Sequence, residues 1–127
     1  MNPKKLYLFD TGFVALSADF SENRGKILEN LVAIELFRRQ RETFYFKGQR
    51  ECDFIVKGPR GSATALQVCW EIGPRNEERE AKGLLEAMDA YGVRRGLILT
   101  HDQDGHFKAG EKQLELRPVW KWCLEPE

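Results

Sequence analysis

The apolar positions of this chain fall into two rhythms. In ENRGKILENLVAIELFRRQ, roughly residues 22–40, Ile27, Leu28, Leu31, Val32, Ala33, Ile34, Leu36 and Phe37 spread around most of a helical circumference. That predicts a long helix covered on several sides, with Asp19 or Ser21 as its cap. Before it, KLYLF at 5–9 reads as a short strand, and Asp10 or Thr11 is placed to cap a short helix ending near Ala18. After it the rhythm shortens. FYF at 44–46, the turn KGQR at 47–50, ECDFIVK, the turn GPRG and ATALQVCWEI predict three strands joined by tight Gly-containing turns. Helical spacing returns in NEEREAKGLLEAMDAYG through Ala81, Leu84, Leu85, Met88 and Tyr91, and Gly92 is placed to end that helix. GLILTH is a further β-run, HDQDGH a turn, and PVWKWCL an apolar cap expected to fold back onto the body. The order α-β-β-β-α-β predicts one mixed α/β domain over residues 1–127. A mixed sheet of strands 44–46, 51–57, 63–72 and 96–101 should lie between the long helix and the 76–91 helix.

Composition narrows the function more than the fold. The 127 residues are 42% hydrophobic and 31% charged, and twenty basic residues balance twenty acidic ones. A net charge of zero excludes a histone-like or tail-driven nucleic-acid binder and leaves room only for a local basic patch. Cys52, Cys69 and Cys123 show no CxxC spacing, so neither a zinc site nor a disulfide framework follows from them. A reducing cytosol suits such thiols. No apolar run approaches membrane-spanning length and the start lacks a signal-peptide core, so a soluble, cytoplasmic protein without a membrane partner is expected. The sequence holds no GxxxxGK[ST], which places any ATP hydrolysis elsewhere. KKLYLFDTGF plunges at once into an apolar run, as expected of a chain cut from a longer polypeptide.

A few polar residues interrupt the apolar pattern. Glu35 can pair forward with Arg38 and Arg39, a routine surface arrangement. Glu29 has Gly25, Val32, Ala33 and Leu36 on its face and only Lys26 to answer its charge, so it calls for a raised pKa or a cation from another element. Asp53 shares a strand face with Glu51, Ile55 and Lys57; it is either a solvated edge residue paired with Lys57 or a carboxylate reserved for a ligand. On the next strand Gln67, Cys69 and Glu71 share a face that the hairpin brings beside Asp53. Glu29, Asp53 and Gln67 would together offer hard oxygen ligands of the kind magnesium accepts. Arg38, Arg39, Arg41, Lys47 and Arg50 follow one another along the helix end and the next hairpin. They form either a phosphate-contacting edge or a basic helix end favoured by the dipole. His101 and His106 flank DQDG, where turn chemistry already accounts for the Asp and Gly.

GKILENLVAIEL, then ECDFIV, then LQVCW resembles the PD-(D/E)XK nuclease superfamily, and Gly25 to Glu29 looks like the matching helix of archaeal Holliday-junction resolvases. Over nearly its full length, through KKLYLFDTGF, ENLVAIEL, ECDFIV, GLLEAMDAYG, GLILT and PVWKW, the chain is similar to the C-terminal domain of unknown function of archaeal-type AAA ATPases. The resemblance implies a restriction-endonuclease-like fold, with Glu29 as the helix carboxylate, Asp53 as the metal-binding aspartate and Gln67 at the Glu/Gln position around magnesium. Cys69 falls where that family places its catalytic lysine. A thiol cannot supply a permanent positive charge beside phosphate; Lys57, Lys47 or Arg50 would have to donate it instead. Three expectations follow. The chain is a DNA-binding accessory of an ATPase core in the same polypeptide, its nuclease site degenerate. Otherwise it is a magnesium-dependent deoxyribonuclease. Or it is a docking or homo-oligomerising module anchored by Trp70, Trp120 and Trp122.

Overall fold

The computed structural model describes residues 20–47 and 51–125, with side chains over 23–43 and 53–125. The elements run α1 (Phe20–Arg38), β1 (Thr43–Lys47), β2 (Glu51–Lys57), β3 (Ala63–Val68), α2 (Glu77–Tyr91), β4 (Arg95–Thr100), β5 (Gly105–Ala109), β6 (Lys112–Pro118) and α3 (Val119–Leu124). The expected strand at 5–9, the short helix ending near Ala18 and the turn at 48–50 lie outside the described residues. Ser21, expected as a cap, falls inside α1.

The strands form one mixed sheet in the order β1-β2-β3-β4-β6-β5. β1, β2 and β3 are an antiparallel meander; α2 then carries the chain across so that β4 lies parallel to β3, and β6 lies parallel to β4. β4 therefore has parallel neighbours on both sides and helices over both faces, which is why GLILT is a continuous apolar run buried throughout except for Arg95. The β5–β6 hairpin was not foreseen. β5 is a polar edge strand, yet β6 carries the period-two signal, with Leu114 and Leu116 alternating with Gln113, Glu115 and Arg117.

Two cores result, one on each face. On one, Leu28, Val32, Ala33 and Leu36 of α1 and Val119 and Trp122 of α3 meet Phe54, Leu66, Val68, Leu97 and Leu99. On the other, Ala81, Leu84, Ala87 and Met88 of α2 meet Ile55, Ala65, Ile98 and Leu114. The expected sandwich between the two helices is thus present. α2 sits close enough that a Cβ on Gly96 would come 2.5 Å from Met88 Sδ and 2.9 Å from a Leu114 methyl. Gly92 ends α2 in a left-handed conformation at φ 64°, as its position in the sequence predicts. α1 closes the same way without a glycine: Gln40 takes φ 58°, and the Arg41 N–H donates to Leu36 O at 3.2 Å. The expectation that α1 is covered on several sides is corrected, since Leu31, Ile34 and Phe37 form an exposed outer stripe, Phe37 being 77% accessible.

Candidate functional site

The sheet opens where β2 and β3 part. Their ladder ends at the pair Phe54–Leu66. One residue further, side chains replace it: the Asp53 N–H donates to Gln67 Oε1 at 3.1 Å, and the Val68 N–H donates to Asp53 Oδ2 at 2.8 Å. β3 then continues along β4 alone, through Cys69 N–H to Leu99 O and His101 N–H to Trp70 O. The expected strand over 63–72 is therefore shorter, ending at Val68, because Asp53 and Gln67 stitch the fork and beyond it no strand of the described residues lies on the other side.

Alternation decides which faces these side chains take. Phe54, Leu66 and Val68 point toward α1, so Asp53, Gln67 and Cys69 point toward α2. There the buried Gln67 donates through Nε2 to Glu80 Oε1 at 3.3 Å, and Arg79 Nε donates to Glu80 Oε2 at 3.3 Å. The loop into α2 is fixed on both sides. Asn76 ties Gly73 N–H and Glu71 O, while Gln103 pairs with both backbone groups of Ile72. Burial first, then the carboxylates of Glu80 and Asp53, push the Cys69 thiol up to about 12. It is a neutral SH, neither a cation nor a ready nucleophile.

Of the expected set, the structure brings Asp53, Gln67 and Cys69 together. Glu29 is half-buried on α1, in the layer over the opposite face. Arg24, one and a half turns earlier, lies over the Trp70 ring at 4.9 Å, which fixes that half of α1 at the same end of the sheet. Among the described residues no three His, Cys, Asp or Glu side chains are spaced to share a metal ion. Magnesium asks for oxygen ligands; here one oxygen of Asp53 and that of Gln67 each already accept a backbone N–H. Lys57 does not supply the missing ammonium. It stands four residues from Asp53, about 13 Å along the strand, and pairs with Glu42 at 3.3 Å. The Lys47 side chain and Arg50 lie outside the described residues. His101 stacks on Trp70 with centroids 4.2 Å apart and bonds Trp70 O through Nδ1, a loop-fixing role, while His106 is exposed on β5.

A protein of Methanocaldococcus jannaschii, named Uncharacterized protein MJ1544, is 37% identical to this chain over 134 aligned residues. The match takes in 94% of the chain but only 29% of that relative's length. No protein-family model and no solved structure matches the chain. Among the described residues no helix is long and apolar enough to cross a membrane.

The basic cluster divides. Arg38 is 68% accessible and Arg41 half-buried, but the Arg39 side chain is only 10% accessible. Arg39 donates to Glu35 at 2.6 Å and to Trp122 O at 2.8 Å, and its guanidinium lies 4.5 Å from the centre of the Trp122 ring. Its expected phosphate contact gives way to a tie between α1 and α3. Glu35 pairs with Arg38 and Arg39 as the spacing predicts, yet it is buried rather than on the surface. Glu80 and Arg79 were missed by the sequence reading. The signal for Glu80 was available: it precedes Ala81 and lies one turn before Leu84, on the flank of the buried stripe of α2.

Proposed function

We propose that this chain is a PD-(D/E)XK-like domain that binds DNA as an accessory of an archaeal-type ATPase and whose nuclease site is degenerate. One observation carries the reading: an aspartate on the second strand and a glutamine on the third meet where the strands part, with a neutral thiol two residues further on. The element order from α1 to β4, with its antiparallel meander and parallel crossover, supports the restriction-endonuclease-like fold. Degeneracy of the site is supported by Asp53 and Gln67, each of which gives an oxygen to a backbone N–H, and by Cys69, which brings no charge. In the M. jannaschii relative the matching region is 29% of a longer polypeptide, which supports a role beside another domain.

Fluorescence anisotropy with labelled duplex and four-way-junction DNA tests this. Binding should weaken steeply with salt, by roughly one power of salt concentration per phosphate contact. Arg38→Glu and Arg41→Glu should weaken it further, and magnesium should produce no cleavage. Binding that ignores salt and these variants would leave a protein-docking module. Magnesium-dependent cleavage lost in Asp53→Ala would make the domain an active nuclease.

A further inference from the structure

A recess of about 440 Å³ opens on the α1 face, at the end of the sheet away from Asp53. We propose that it binds a small organic anion, an apolar body carrying one carboxylate or phosphate. Its volume is that of a small-molecule pocket. Val56, Leu66, Leu97 and Trp122 supply the apolar surface, and Arg39, Arg41, Lys57, Arg95 and Arg117 supply the charge, against the single lining carboxylate of Glu125.

Among the described residues the carboxylates beside Arg95, Arg117 and Lys57 are shared or exposed. Glu115 Oε2 is shared between Arg95 and Arg117, each at 3.1 Å. Glu35 is likewise shared between Arg38 and Arg39. Lys57 and Glu42 meet only across exposed side chains, a weak pair. Arg117 gives Nη1 to Glu125 at 2.8 Å, but its Nε is buried and has no protein acceptor. A buried donor without an acceptor is uncommon and costly; since this Nε has no exposed surface, an anion head in the recess is met by the charge of Arg95, Lys57 and Arg117 around it rather than by that atom. The apolar floor is what selects the body. A duplex backbone presents phosphate without an apolar group that could enter. Arg41 belongs to both this recess and the surface proposed to meet DNA, so the inference is tested with probes that carry no nucleic-acid backbone.

NMR titration of the isotope-labelled chain tests it, with phenyl phosphate and benzoate as probes and inorganic phosphate and benzyl alcohol as controls. Either probe should saturably shift the Trp122 indole, the Leu97 methyls and the Arg117 Nε–H, and each control should bind about tenfold more weakly or worse, for want of the apolar contact or the charged bond. Arg117→Gln should weaken probe binding about tenfold. Because Arg117 also holds Glu115 and Glu125, Lys57→Glu at the exposed rim is the second variant, expected to weaken binding several-fold with the spectrum otherwise intact. Shifts confined to the rim, or equal for probe and inorganic phosphate, would overturn the proposal.

Discussion

The two ends of the sheet carry opposite chemistry. At the fork of β2 and β3, Asp53 and Glu80 surround a neutral thiol and an amide, and among the described residues the cation acting on that thiol is Arg79. At the far end, among the described residues, Glu35 holds Arg38 and Arg39, Glu115 holds Arg95 and Arg117, and Glu125 also pairs with Arg117. Equal numbers of acids and bases along the chain conceal this separation, which folding alone creates. The comparison also shows how each end neutralises itself. Backbone N–H groups answer the Asp53 carboxylate and the Gln67 oxygen at the fork, whereas shared carboxylates answer the guanidiniums. The fork is thus neutralised without an ion pair between Asp53 and a cation in these bonds, whereas at the far end each glutamate serves two arginines.

The largest contrast should lie in thiol chemistry. With its thiol near 12, Cys69 carries about 10³-fold less thiolate near neutral pH than an unperturbed cysteine. Peptide-resolved iodoacetamide labelling of the native chain should therefore find Cys69 slower than a model peptide thiol by about that factor. Rapid labelling would mean that the acidic fork is open and hydrated, and the comparison would fail. The raised value also fixes a sign. The stabilisation from keeping this SH neutral is complete below the unfolded value near 8.5 and is lost as pH rises toward 12.

Next comes the core of the basic end. Glu35→Ala removes the carboxylate that faces the enclosed Arg39 and should cost about 3–5 kcal/mol in denaturant unfolding. The Arg38 hydrogen bond, with help from Arg39 and against burial, holds the Glu35 carboxyl below the usual range. Its contribution is present above the ordinary carboxylate value of about 4.3 and lost as pH falls below it. Glu35→Gln should flatten that acid limb. An unchanged acid limb would remove Glu35 from the account.

At the fork, Asp53→Ala strands the Val68 N–H and should cost about 1–3 kcal/mol. Asp53→Asn keeps an oxygen in place and should cost under about 1 kcal/mol. The difference between the two separates an acceptor for the backbone from a charge held for a ligand. If Asn were as damaging as Ala, the negative charge itself would be what the fork requires.

These residues also show what the sequence could disclose. α1, β2, α2 with its Gly92 stop, and β4 were legible because each has one dominant period. Asp53 beside Gln67 followed from hairpin alternation. Glu80 was harder, since nothing local says that the first turn of α2 lands on Gln67, thirteen positions earlier. Glu35 hid its burial because an i+3, i+4 pair looks the same inside a protein as on its surface. HDQDGH read as a turn and so obscured that Gly105 begins a strand, while the short edge β5 has only Phe107 and Ala109 on its inward face to announce it.

The smallest effect tests how the basic end is aimed. Gln40 separates Arg39, which turns inward, from Arg41, which lines the recess, and it does so at φ 58°. A side chain in that left-handed region costs about 1 kcal/mol that glycine does not. The closing bond from Arg41 N–H to Leu36 O is a backbone bond and survives the exchange. Gln40→Gly should thus stabilise the fold by about 0.5–1 kcal/mol, less the entropy that glycine returns to the unfolded chain, and leave phenyl phosphate binding unchanged. A stabilised protein with weakened binding would show that Gln40 does more than turn the chain: its side chain would then be holding Arg41 toward the recess.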